Sequence, residues 1–188
     1  MGEPPTIDHR NDAELFAAIN RGDHSAFETL YGRYRDWVAA MAMRFTGSHA
    51  DALDVLQEVF LHLARKAPHL RLDGKVTTYL YPVTRSVAVS LIRRRRPLGD
   101  TISLEDLDLC HPPPEQVGAA GDLAVVLAKL PPAQREALVM RYVDGHSNDE
   151  IAAMLKIPEG TVKSRLHHAL AALRDDPAAR RYFGVQPD

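Results

Sequence analysis

Between positions 147 and 170 the chain reads SNDEIAAMLKIPEGTVKSRLHHAL, its most informative stretch. Ser147 followed three residues later by Glu150 is a capping box, the pattern that begins a helix. Pro158 suits the first turn of a second helix, because its missing N–H costs nothing there. Two short helices joined by a tight turn predict a helix-turn-helix, whose second helix is suited to the major groove of DNA.

The second of these helices has two unlike sides. Its apolar side consists of Val162, Leu166, Ala169 and Leu173. Its polar and basic side consists of Lys163, Ser164, Arg165, His167 and His168. Such side chains contact base edges and phosphates, which favours DNA reading. Small helical proteins also expose charged helix faces, so spacing alone leaves both interpretations open.

Composition narrows the class of protein. The 188 residues suffice for one or two domains, and no apolar run approaches the ~20 residues of a membrane span. The first residues lack the basic-then-apolar order of a secretory signal. The single cysteine, Cys110, excludes an internal disulfide framework and fits a reducing compartment. We therefore expect a cytoplasmic protein without a membrane segment.

Charge is divided into blocks, although the net charge is only −2. Nine basic and two acidic residues give the segment 61–100 a charge of +7. The segments 1–60 and 101–125 each carry −5. Separation of this size predicts distinct binding surfaces along one chain.

Apolar periodicity is helical throughout and predicts an all-α fold of two helical domains. The expected helices are 12–20, 25–45, 48–66, 77–96, 121–130, 133–143, 147–155 and 159–174. An acidic stretch without periodicity, which contains three consecutive prolines, predicts a flexible linker between the domains. The expected order is a first domain 10–96, a linker 97–121, a second domain 122–176 and a tail 177–188.

No metal, cofactor or catalytic centre is expected. Cys110 and His111 adjoin each other, but they lack partners at zinc spacing. The nine histidines form no His-Glu-x-x-His pattern, and no nucleophile motif is present. An enzyme is therefore the least favoured class.

The third predicted helix carries an acidic face. The expected core stripe consists of Leu53, Leu56, Phe60 and Leu63. The expected exposed face consists of Asp54, Gln57, Glu58 and Leu61. Such a face is usually solvated surface. Because Val55 and Val59 are expected beside the carboxylates, the face is also a candidate for docking a partner helix.

The fourth predicted helix carries the strongest charge signal. It ends in the run 93–96 of four arginines, and no acidic residue lies between Lys75 and Arg96. Tyr79 and Tyr81 lie near its start. Cations beside aromatic rings hold a phosphate backbone while bases stack, which favours nucleic acid. A solvated helix end, favoured by the helix dipole, is the alternative.

Together these segments resemble the sigma-70 family of bacterial transcription initiation factors, and within it the extracytoplasmic-function (ECF) group. The segment 51–63 resembles the part that docks on the clamp helices of RNA polymerase. The segment 78–96 resembles the helix that grips the −10 promoter element. The segment 130–167 resembles the fourth sigma region, which reads the −35 element.

The resemblance implies a promoter-specificity subunit that binds core RNA polymerase and promoter DNA, with an anti-sigma factor as a further expected partner. Core-polymerase contacts are implied for Asp54, Gln57, Glu58 and Leu61. Recognition and opening of the −10 element is implied for Lys75, Tyr79, Arg85, Arg93, Arg94 and Arg95, with a flipped base received near the loop 72–77. Contacts to the −35 element are implied for Glu159, Thr161, Lys163, Ser164, Arg165, His167 and His168.

Five positions depart from the family pattern, among them Val87, which replaces a basic residue. Tyr79 stands where Trp is frequent, Ser86 replaces a common Asn, and Pro82 is expected to kink or delay the fourth helix. Lys156 occupies a turn position where Gly is typical, so we expect a strained left-handed backbone there. A free-standing helix-turn-helix regulator with a helical sensor domain is the alternative function, because the segment 130–174 alone would allow it.

Overall fold

A computed structural model describes residues 8–67, 70, 74–95, 126–176 and 179. Within these residues the chain is helical and contains no strand, in agreement with the predicted all-α class. The helices are α1 (Asp12–Ile19), α2 (His24–Thr46), α3 (His49–Lys66), α4 (Val76–Arg95), α5 (Pro132–Tyr142), α6 (Asn148–Leu155) and α7 (Glu159–Asp175). The predicted linker and almost all of the predicted tail lie outside the described residues.

The first domain packs α1 to α4 around one apolar core. Its fully buried side chains include Leu15, Leu30, Val55, Leu63 and Leu80. Helix starts are fixed by side-chain caps: Asn11 forms a capping box on α1, Asp23 caps α2 and Ser48 caps α3. These caps satisfy backbone N–H groups that have no partner inside the helix. The predicted cap at Ser48 is therefore confirmed.

A polar network fixes Asp8 and Arg10 to the start of α2. Arg10 pairs with Asp8 and with Asp23, each at 2.7 Å, and Thr29 donates its hydroxyl to Asp8 at 3.0 Å. Hydrogen bonds from Arg10 hold the pKa of the Asp8 carboxyl below its usual range, and hydrogen bonds from Ser25 and then Arg10 do the same for the pKa of Asp23. The network joins the residues just before α1 to the start of α2 independently of the apolar core.

The orientation of α3 differs from the sequence prediction. Val55 and Val59 are fully buried, whereas Leu53, expected in the core, is 49% exposed. Phe60 and Leu63 of the predicted stripe are buried as expected, but the stripe continues through Ala52, Val55 and Val59. Leu53 lies away from this stripe because the helix is rotated by roughly one position relative to the prediction. The prediction that the two valines flank an exposed docking face was therefore wrong.

Pro82 does not delay α4, and the kink that was the other expected outcome stays a prediction. The helix runs from Val76 to Arg95 with Pro82 inside it. Proline lacks the N–H that would bond the carbonyl one turn earlier. About one and a half turns of helix precede Pro82 and most of the helix follows it, with Leu80, Tyr81 and Thr84 buried around it. Tertiary packing therefore holds the helix together across the proline.

The second domain contains the predicted helix-turn-helix, α6 and α7. Ser147 and Glu150 form both hydrogen bonds of the predicted capping box. Lys156 ends α6 with φ 55° and ψ 45°, the left-handed conformation expected from the sequence. Ile151, Val162 and Ala169 are fully buried and close the pair against α5. The turn therefore depends on a non-glycine residue in a conformation that favours glycine.

Arg135 fixes the segment before α5. It is only 5% exposed, and its guanidinium donates to the carbonyl oxygens of Leu127, Ala128 and Leu130 at 2.8–2.9 Å. A buried cation is tolerated only when its donors are satisfied. Arg135 therefore acts as a structural clamp within the second domain.

Candidate functional site

The outer side of α7 is exposed as predicted. Lys163, Ser164, His167 and His168 are exposed, and Arg165 is partly exposed. On the opposite side Val162, Leu166 and Ala169 are buried. The −35 candidates therefore lie on one accessible helix surface, with Thr161 partly exposed and Glu159 exposed at the helix start.

Two local contacts order this surface. Lys163 lies 2.8 Å from Glu159, one turn earlier, and the rings of His167 and His168 meet edge to face at 5.8 Å. The Lys163–Glu159 pair is largely exposed, so solvent screens it and Lys163 can exchange Glu159 for a phosphate or a base edge.

The acidic candidates of α3 also lie together. Asp54, Gln57, Glu58 and Leu61 are all exposed, at spacings of three and four residues that place them on one side of the helix. The exposed side chain of Leu53 adjoins this side. We call these five residues the α3 face. It combines two carboxylates with two apolar side chains, a composition suited to a basic and apolar partner helix.

The C-terminal end of α4 reaches the α3 face. Arg95 pairs with Asp51 and, at 3.2 Å, with Asp54. Arg93 and Arg94 are exposed beside it. One residue of the −10 set therefore contacts one residue of the polymerase-docking set, a proximity that the sequence did not predict.

The other −10 candidates divide between two environments. Tyr79 is partly exposed, and burial raises the pKa of its hydroxyl. Lys75 and Arg85 are instead engaged by carboxylates of the second domain. Lys75 Nζ lies 2.6 Å from Glu150 Oε1, and Arg85 Nε lies 3.1 Å from Glu136 Oε1.

Two further contacts complete this junction between the domains. The Tyr81 hydroxyl donates to Glu136 Oε1 at 2.7 Å, and Tyr81 is 2% exposed. The interpretation of Tyr81 as a stacking platform is therefore wrong for this arrangement. Arg44 Nη2 lies 2.9 Å from both carboxylate oxygens of Asp144. Sequence reasoning missed Arg44, Glu136 and Asp144 because no local pattern joins residues so far apart in the chain.

A cleft opens beside the start of α4. Asp12 and Phe16 of α1 line one side together with Asn20, which follows the helix, and Leu70, Gly74 and Val76 line the other. Of the expected position for a flipped base, the loop 72–77, residues 72–73 lie outside the described residues, and Gly74 and Val76 border this cleft. The cleft combines an apolar floor with amide and carboxylate groups, a lining suited to a planar polar ligand.

The described residues provide neither a membrane-spanning helix nor a cluster of metal ligands. None of the described helices is long and apolar enough to cross a membrane. In the same part of the chain no group of three histidine, cysteine or acidic side chains could hold a metal ion.

Two helical domains, one with an exposed helix-turn-helix and one with an acidic face and an arginine-rich helix, define a class of DNA-binding protein. Residues 30–97 match the family model for sigma-70 region 2, and residues 120–173 match the model for sigma-70 region 4. The chain is 35% identical over 164 residues to the ECF RNA polymerase sigma factor SigM of Mycobacterium tuberculosis, with 87% of this chain and 83% of the relative covered.

The chain therefore belongs to the ECF group of the sigma-70 family, as the sequence predicted. A second relative, the ECF RNA polymerase sigma-E factor of Escherichia coli K12, is 31% identical over 186 residues, which cover 90% of this chain and 97% of the relative. Sigma factors are DNA-binding transcription initiation factors.

Solved structures support the fold. CnrH in complex with the cytosolic domain of CnrY is similar with a TM-score of 0.62 and 24% identity, covering 93% of this chain and 99% of that one. RpoE of Bartonella quintana in complex with the anti-sigma factor NepR is similar with a TM-score of 0.59 and 20% identity, covering 86% of this chain and 98% of that one.

Proposed function

We propose that this chain is a dissociable promoter-specificity subunit of bacterial RNA polymerase. The observation that carries the proposal is the presence, in one chain, of an exposed basic recognition helix and a separate exposed acidic docking face. A regulator that acts alone needs the first surface but has no use for the second. Residues 10–96 would bind core polymerase and the −10 element, and residues 122–176 would read the −35 element.

The exposed side of α7 supports the −35 assignment. Lys163 and Arg165 can donate to guanine in the major groove, and Ser164 can bond either a base or a phosphate. Exposed histidines at 167 and 168 continue the same surface. We assign base reading to Lys163, Ser164 and Arg165, and backbone positioning to the remaining residues of the set.

Tyr79, Arg93 and Arg94 support the −10 assignment. Exposed arginines hold phosphates, and a partly exposed tyrosine offers a ring on which an unpaired base can stack. The cleft lined by Asn20, Leu70 and Gly74 lies beside the start of the same helix. We assign it the capture of a base flipped from the opened strand.

The α3 face is assigned to core polymerase. The relatives of this chain are named as RNA polymerase sigma factors, which supports a polymerase partner for this chain as well. The covalent chemistry then belongs to the polymerase, and this chain acts in the cytoplasm as a binding subunit. Because two similar structures were solved with a bound partner, one named as an anti-sigma factor, we also assign this chain an anti-sigma inhibitor.

Co-elution with core RNA polymerase tests the proposal. Purified chain mixed with bacterial core enzyme should elute with it in gel filtration, and the complex should bind promoter DNA that neither component selects alone. Tight, specific binding to a duplex operator by the chain alone, without any association with core enzyme, would favour the free-standing regulator and contradict the proposal.

A further inference from the structure

Arg95, the last residue of α4, lies against α3. Its Nη1 pairs with Asp51 Oδ1, and its Nη2 donates to Asp54 Oδ2 at 3.2 Å. Both carboxylates belong to α3, and Asp54 is part of the α3 face. Both terminal nitrogens of the guanidinium therefore contact the helix assigned to polymerase, although the sequence predicted Arg95 as a contact of the −10 element.

The two ion pairs of Arg95 differ in exposure. The side chain of Asp51 is 13% exposed, whereas that of Asp54 is 56% exposed. Asp51 lies in the first turn of α3, and a carboxylate so shielded from water needs a cation nearby. Solvent screens the pair with Asp54. The pair with Asp51 therefore holds Arg95 in place, while the contact with Asp54 is the weaker of the two.

The neighbouring arginines are directed elsewhere. Residues one and two positions earlier on a helix lie about 100° and 200° around its axis. Arg93 and Arg94 are exposed and therefore cannot share the direction in which Arg95 meets α3. Of these three arginines, Arg95 is the one placed at the edge of the α3 face.

This placement changes the charge that a partner helix meets. The α3 face has two carboxylates, Asp54 and Glu58. Glu58 lies 3.9 Å from Arg65, a pair that is more than half exposed on both sides and has no further anchor in the described residues. Arg95 is instead anchored by Asp51, so a basic partner that docks on Asp54 has to share it with a cation that stays in place. Like charges brought together at an interface lower affinity.

We propose that Arg95 limits the affinity of the α3 face for core polymerase and does not contact the −10 element. This inference rests on the proposed function, which assigns the α3 face to polymerase. By holding Asp54, Arg95 reduces the negative charge available to a basic partner helix, and docking stays reversible. Arg95 thus acts with α3, and the gripping of DNA by the end of α4 falls to Arg93 and Arg94.

Three variants of the whole chain allow a test. Arg95→Gln removes the charge, and Arg95→Lys keeps it. Arg35→Gln is the matched control, because the Arg35 side chain is also 55% exposed and also pairs with an aspartate, Asp36. The measurement is the affinity of each fluorescently labelled variant for core RNA polymerase, titrated at about 50 mM and about 300 mM salt, since screening distinguishes a charge effect from a change of shape.

We expect Arg95→Gln to bind core polymerase about three- to fivefold more tightly than Arg35→Gln at the lower salt concentration, and the gain to shrink at the higher one. Arg95→Lys should stay within about twofold of the wild type, because the positive charge remains. In an Asp54→Asn background the gain should fall to less than about half. If Arg95→Gln does not fold because Asp51 loses its partner, Arg95→Gln with Asp51→Asn gives the same comparison without an uncompensated carboxylate.

A second measurement separates docking from DNA binding. Anisotropy of a fluorescein-labelled single strand of mixed sequence, about 20 nucleotides long, reports the contacts of the free chain with DNA. Arg95→Gln should lose no more affinity for this strand than Arg35→Gln, whereas Arg94→Gln should lose about threefold more than either.

Two results would overturn the inference. One is an Arg95→Gln variant that binds core polymerase no more tightly than Arg35→Gln. The other is a loss of affinity for the single strand as large as that of Arg94→Gln, which would return Arg95 to the −10 set. Failure of the wild type to co-elute with core polymerase would instead refute the proposed function, so the two failures are distinguishable.

Discussion

Lys75 and Glu150 link an expected DNA-binding cation to the cap of the helix-turn-helix. Lys75 Nζ lies 2.6 Å from Glu150 Oε1, while Glu150 Oε2 accepts the backbone N–H of Ser147 at 3.0 Å. The Glu150 carboxylate therefore makes one contact within the capping box and a second contact between the domains. Lys75 foremost, and the N–H of Ser147, lower the pKa of Glu150 to about 2.

The lowered pKa of Glu150 predicts that the wild type and the variant Glu150→Gln differ in free energy of unfolding by an amount that depends on pH. A carboxyl with a depressed pKa stabilises the folded state above its ordinary value of 4.5, and the contribution is lost as the pH falls toward 2. Glu150→Gln retains the cap but removes the charge. We expect the variant to be less stable at pH 7 by about 1 kcal/mol, since Lys75 is mostly exposed and solvent screens the pair.

Urea unfolding of both proteins from pH 7 down to pH 2.5 measures this difference. The difference in the free energy of unfolding should shrink between pH 4.5 and the lowest value reached. A difference that stays constant over that range would show that the charge of Glu150 contributes nothing.

The left-handed backbone at Lys156 predicts that glycine at this position stabilises the folded chain. A non-glycine residue in the left-handed conformation costs about 1 kcal/mol or more, and glycine avoids this cost. Lys156→Gly should therefore raise the free energy of unfolding by about 1 kcal/mol in urea titration. Lys156→Ala is the control, because it removes the same side chain but keeps the strain. Equal stability of the two variants would contradict the prediction.

The three hydrogen bonds of Arg135 predict that the conservative substitution Arg135→Lys lowers the free energy of unfolding substantially. Lysine cannot reach the three carbonyl oxygens that the guanidinium bonds at once. Arg135→Lys should lower the free energy of unfolding by about 2–3 kcal/mol, as expected for buried polar groups left without partners. Arg35→Lys, at an exposed position on α2, should change it by less than about 0.5 kcal/mol. Similar effects at the two positions would refute the clamp.

The α3 face predicts a specific loss of polymerase affinity. Asp54→Lys with Glu58→Lys reverses both exposed carboxylates and should weaken binding to core enzyme at least roughly tenfold. Glu28→Lys with Asp36→Lys makes the same charge change on the exposed side of α2. Affinities from fluorescence titration with labelled chain would compare the pairs. An unchanged affinity after reversal of the α3 face would remove its assigned role.

The sequence predicted well the features that depend on local pattern. The helix-turn-helix, its capping box and the left-handed Lys156 follow from residues close together in the chain. The orientation of α3 did not follow, because several registers of a partly apolar helix satisfy the same period and only packing selects one. The contacts of Glu136 and Asp144 join the two domains, and no periodicity within a segment records such a partner.

Transcription with purified core RNA polymerase tests the central claim most directly. We predict that adding this chain makes core enzyme initiate at defined sites on DNA from the source genome. Arg165→Ala or Lys163→Ala should reduce initiation most at sites with a matched −35 element, by about 1–3 kcal/mol for a bidentate base contact. The account would be contradicted if core enzyme with this chain initiates at no site that core enzyme alone does not use.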